Sequence, residues 1–127
     1  MKKSYAFLTA GIAALLLAVL MLSPMSLLAN TSNTSIEAGQ TFVFGGEQRM
    51  PLTVAARNDG DVPVEILLFE NGSERSVATL APGASMKVKM PAGSIALFRN
   101  ASSKTAAMHF KFRGNINALT MSYRGNK

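Results

Sequence analysis

The chain has 127 residues, no cysteine, no tryptophan and a formal net charge of +6. A chain this short buries one modest core, and without cysteine it has no disulfide staple, no thiolate ligand and no thiol nucleophile. His109 is the only histidine, so a catalytic dyad or a zinc site lacks most of its parts, and the sequence points to a protein that is not an enzyme and holds no metal or cofactor.

Met1-Lys2-Lys3 opens the chain and is followed by an uncharged stretch whose centre, Ala6 to Leu22, is almost wholly apolar. A charged start before an apolar run is the layout of an export signal. Pro24 interrupts the apolar run, and Ser26-Leu27-Leu28-Ala29 ends on a small residue suited to cleavage, which predicts a signal peptide over 1–29. The alternative is an uncleaved anchor, since a spanning helix needs about 20 apolar residues. Either way the lysines stay cytoplasmic and the remainder crosses, so the expected location is extracytoplasmic, periplasmic or secreted. Asn30 to Ser35, Asn-Thr-Ser-Asn-Thr-Ser, is expected to be a disordered lead-in, followed by a single domain over 36–127.

From there apolar residues recur at spacing two and turn residues interrupt every few positions, the pattern of an all-β sandwich or barrel. Strands are predicted at Thr41 to Phe44, Leu52 to Arg57 and Val64 to Glu70, then at Ser76 to Leu80, Met86 to Met90 and Ile95 to Arg99. Asn58-Asp59-Gly60-Asp61, Asn71-Gly72-Ser73 and Ala81-Pro82-Gly83 supply the turns. Two further strands, Ala107 to Arg113 and Ala118 to Arg124, are expected to form a hairpin through Gly114-Asn115-Ile116-Asn117. That register pairs Phe112 with Leu119, Phe110 with Met121 and Met108 with Tyr123, and it puts both apolar sets on one side. The predicted fold is an antiparallel β-sandwich of seven or eight strands, immunoglobulin-like, with an up-and-down or jelly-roll barrel as the alternative.

Charge is distributed unevenly along the chain. Every Asp and Glu precedes Arg75, and from Arg75 onward the charged residues are all Lys or Arg. If the last two strands share a sheet with Met86 to Met90, one outward face gathers Lys87, Lys89, His109, Lys111, Arg113 and Arg124, a candidate anion-binding face. Anionic lipid or acidic polysaccharide would suit it, unless Glu65 or Glu70 lies beside the lysines and neutralises them. Nucleic acid is disfavoured, because no aromatics interleave with the cations and Tyr123 is expected to face inward. Thioether ligands could hold copper(I) near His109, but Met86, Met90, Met108 and Met121 sit at inward positions where methionine fills a core. The functional expectation is a non-enzymatic binding or accessory module at the cell envelope. Its alternative is a structural subunit that joins a protein partner through an edge strand.

Overall fold

The computed structural model describes residues 30–114 and 119–126. The predicted signal over 1–29 and most of the predicted turn after Gly114 lie outside them.

Nine strands follow in chain order: β1 (Asn30–Ile36), β2 (Gln40–Gly45), β3 (Leu52–Asn58), β4 (Val64–Glu70), β5 (Ser73–Leu80), β6 (Ser85–Met90), β7 (Ile95–Arg99), β8 (Ala106–Gly114) and β9 (Met121–Gly125). They form two antiparallel sheets, one of four strands in the order β1-β8-β3-β6 and one of five in the order β5-β4-β7-β2-β9. The pairs β1–β8, β2–β7, β3–β6 and β4–β5 are nested, as in one long antiparallel hairpin rolled around itself. That is a jelly roll, with β9 added outside β2. Immunoglobulin-like order, in which consecutive strands lie side by side within a sheet, is not what forms, because β4–β5 is the only adjacent pair of consecutive strands among those described.

The tip of the rolled hairpin has its cause in two residues. Asn71 and Gly72 both take positive φ, 53° and 75°, the requirement of the two-residue turn whose twist matches the strands it joins. Register across it runs from Glu70↔Ser73 to Val64↔Leu80, with a bulge between Ile66 and Leu67. Gly45, at φ 95°, ends β2 where a Cβ would stand 2.7 Å from the Met90 side chain. Only glycine fits that crossing.

Between the sheets the core is largely aromatic. Phe44 stacks on Phe112 at 4.7 Å between ring centroids, Phe98 tilts against Phe110 at 4.6 Å, and Phe42 lies over Phe110 at 5.5 Å. Buried Met90 and Met108 fill the space around the rings. Buried amides tie down the loops at the sandwich ends. The Asn58 side chain donates to the carbonyls of Val62 and Leu80 at 2.8 and 2.9 Å and accepts from the Gly60 N–H. Asn100 does the same for Ile36, Lys104 and Ser102. Among the described residues the buried core runs from Ile36 to Phe112, with Leu119 packed against it.

Two expectations are corrected here. The Asn-Thr-Ser segment is not a lead-in but β1, which pairs residue for residue with β8 from Asn30↔Phe112 to Ile36↔Ala106. Its backbone completes a sheet edge whether or not its side chains are apolar. The predicted terminal hairpin does not form either: β8 sits between β1 and β3, while β9 crosses to the other sheet and pairs with β2. Met121 and Tyr123 therefore lie on the inner side of an edge strand, about half exposed at 48% and 49%.

Candidate functional site

The outer face of the four-stranded sheet can be read as a grid from its registers. One row is Lys89, Thr53 and Arg113; the next is Lys87, Ala55, Lys111 and Thr31; the third is Ser85, Arg57, His109 and Asn33. Strand spacing separates Lys87 from Lys111 by about 9.5 Å between Cα atoms, with about 7 Å between successive rows. Ala55 is the floor between the cations. A depression of about 130 Å³ lies there, lined by Thr53, Ala55, Lys87, Lys111 and Arg113.

Charge is tied up only at one end of the grid. Arg57 donates two hydrogen bonds to the Asp59 carboxylate, at 2.6 and 3.1 Å, which holds Asp59 below the ordinary carboxylate value and raises Arg57. Beside them His109 Nδ1 donates to Asn33 Oδ1 at 2.7 Å. Among the described residues no carboxylate lies within ion-pair distance of Lys87, Lys89, Lys111 or Arg113. Glu65, a possible neutralising partner, is on the opposite sheet and accepts from Arg99 at 2.8 and 3.0 Å.

Five of the six residues singled out from the sequence thus share this face. Arg124 does not: it belongs to β9, on the outer face of the five-stranded sheet, with Glu74 at 4.0 Å. His109 faces outward while Met90 and Met108 are buried inside, so the sheet itself separates the imidazole from these thioethers.

A second surface escaped the sequence reading. Val43, Leu67, Phe69, Ile95 and Leu97 stand side by side on the outer face of the five-stranded sheet, between the Glu65–Arg99 and Glu74–Arg124 pairs. A cleft of about 200 Å³ opens among Val43, Phe69, Ile95, Leu97, Glu74 and Arg124. The signal was present in the sequence: Ile66 to Phe69 and Ile95 to Phe98 are unbroken apolar runs, which mark strands covered on both faces.

Comparison with known protein families finds no match, and comparison with curated sequences finds none either. Likeness appears in three dimensions. An oxalate oxidase structure superposes with a TM-score of 0.57 at 12% identity, over 76% of this chain and 47% of that one. Procruciferin, an 11S globulin from Brassica napus, superposes with a TM-score of 0.51 at 13% identity, over 79% of this chain and 23% of its own. The chain therefore spans about half of the oxalate oxidase and about a quarter of the globulin. At these identities the likeness establishes the fold alone. It nevertheless overturns the exclusion of an enzyme drawn from the sequence, because a fold carried by oxalate oxidase is one in which enzymes are built. The described residues form an all-β, two-sheet sandwich of nine strands with jelly-roll strand order, a fold like that of the part of the oxalate oxidase it superposes on.

Proposed function

We propose that this protein binds polyanions through the outer face of its four-stranded sheet, on the far side of a membrane to which residues 1–29 deliver it. The observation that carries the reading is the cluster Lys87, Lys89, Lys111 and Arg113, four cations without an acidic partner among the described residues, ranged around the Ala55 floor. Clustered cations over a low-dielectric surface raise the local potential and concentrate anions. Phosphate, sulfate or carboxylate groups repeated along a polymer or a bilayer surface match a grid of this kind better than a small enclosed ligand does. The described side chains of this outer face include no Phe, Tyr or Trp on which bases could stack, which favours a sugar or lipid polyanion over nucleic acid.

Surface attraction of this type is worth about 1 kcal/mol per basic residue near an anionic membrane, so four together give roughly millimolar binding per copy. Binding should fall steeply as salt shortens the screening length, about 10 Å at 0.1 M and about 3 Å at 1 M. The test is co-sedimentation of the chain from residue 30 with anionic vesicles, beside retention on an acidic polysaccharide, each at low and high salt. Retention by one support and not the other separates a lipid headgroup from a soluble polyanion. The double reversal Lys111→Glu and Arg113→Glu is expected to abolish binding to both, and unchanged binding by that variant defeats the reading.

A further inference from the structure

The four sheet edges are unequally protected. On β6, Lys87 and Lys89 guard the edge and Pro91 follows it; β5 carries Glu74 and Arg75 beside the bulge; β1 is wholly Asn, Thr and Ser until its last residue. Charge, proline and bulges are the ordinary devices that stop strands from adding to one another. At the outer edge of the five-stranded sheet, β9 reads Met121-Ser122-Tyr123-Arg124-Gly125 and has only Arg124.

Which of its backbone groups are free follows from its pairing with β2. The Gly45 N–H donates to the Thr120 carbonyl at 2.8 Å and the Asn126 N–H donates to the Gly39 carbonyl at 3.0 Å, at the two ends of the register Phe44↔Met121 to Gln40↔Gly125. Antiparallel ladders alternate bonded and non-bonded pairs, so Ser122 and Arg124 spend their amides on β2. Met121, Tyr123 and Gly125 then aim N–H and C=O outward from the edge.

We infer that β9 pairs with β9 of a second copy, antiparallel and centred on Tyr123, joining two five-stranded sheets into one. The strand is complementary to itself in this register alone. Tyr123 meets its own counterpart, Met121 meets Gly125, which has no side chain to crowd it, and Ser122 meets Arg124. All five residues find partners, and the outward groups of Met121, Tyr123 and Gly125 all fall on bonded pairs. Centring one residue later would set Arg124 against itself, and one residue earlier would leave Gly125 unpaired. Pairing also covers Met121 and Tyr123, two of the large apolar side chains most exposed in the described chain. The contact is isologous and closes as a dimer. Its two-fold axis stands normal to the joined sheet, so both four-stranded sheets fall on the same side and both basic faces look the same way. Each copy then presents its cations to one surface, which multiplies a weak attraction without new contacts. That last consequence rests on the polyanion reading; the dimer does not.

Sedimentation velocity on the chain from residue 30, without polyanion and over a concentration series up to the millimolar range, tests it. Wild type should pass from monomer to dimer. Gly125→Pro fixes φ and removes an outward donor while leaving every β9 bond to β2 in place; Gly125 has no positive φ and its added Cβ meets nothing within 4 Å. That variant should stay monomeric with an unchanged thermal transition. Ser122→Glu places a carboxylate opposite Arg124 of the second copy twice per dimer and should tighten association about five-fold, while Ser122→Arg should weaken it about as much. A wild type and Ser122→Glu both monomeric throughout, a dimer that survives Gly125→Pro, or a dissociation constant indifferent to residue 122 each overturns the proposal.

Discussion

The outer face of the four-stranded sheet sets Lys87, Lys89, Lys111 and Arg113 around Ala55, whereas that of the five-stranded sheet packs Val43, Leu67, Ile95 and Leu97 against one another between two ion pairs. The two layers share one aromatic core, so the contrast lies wholly in what each turns away from it. On the first face the small central residue leaves long cations room to extend into solvent. On the second, Leu97 is only 3% exposed although it points out of the sandwich. Val43 and Leu67 flank it on β2 and β4, and Glu74 and Arg124 line the cleft beside it, so this outer face contributes packing as well as surface. One layer is held by its inner side alone; the other is stabilised on both.

Truncation at the centre of each face should expose that difference most strongly. Leu97→Ala is expected to cost about 2 kcal/mol, near the low end for buried leucine because a cleft open to solvent adjoins it, whereas Ala55→Ser should stay within about 0.5 kcal/mol of wild type. Urea unfolding of both variants makes the comparison, and equal losses would mean that the two faces are not packed differently. A smaller effect is expected from Glu65→Gln, which removes the carboxylate held by Arg99 at the end of the apolar stripe. The pair is about one-third exposed on each side, and such pairs contribute roughly 0.5 kcal/mol, so the loss should shrink further in high salt.

The smallest effect is expected at the end of the basic face. Hydrogen bonds from Arg57 depress the Asp59 carboxyl, so the stabilisation it contributes is complete above the unfolded value, about 3.9, and is lost as pH falls through the lower folded value. The stability gap between wild type and Asp59→Asn should be constant above about pH 4 and close below it. A gap that persists at lower pH would mean that Asp59 acts through something other than its charge.

Strand positions were legible because each strand's period is local. Val64 to Glu70 and Ile95 to Arg99 were read with the ends the structure gives them, and the alternation of Met86 to Met90 correctly put its lysines outside. Pairing was not legible. Met121 and Leu119 would suit Phe110 and Phe112 in a local hairpin as well as Ala56 and Val54 of β3 do in the jelly roll, and the period carries no information on which distant strand is chosen. The hidden β1 has the same origin, because an edge strand donates and accepts backbone hydrogen bonds whatever its side chains are. The error in pairing carried into the site: Arg124 was placed with the lysines only because β9 was placed beside β8.

The nested order of the strands also governs when this protein can fold. β1 finds its partner only in β8, joining Asn30 to Phe112, and β2 must wait for β7. Only the β4–β5 hairpin, turned by Asn71 and Gly72, can form from local chain. Each pair farther from that tip closes a longer loop than the one inside it. Topologies of this kind fold on millisecond to second timescales. A nascent chain that has not yet released β8 leaves β1 without its partner, so the chain through Gly114 must be made before β1 is secured.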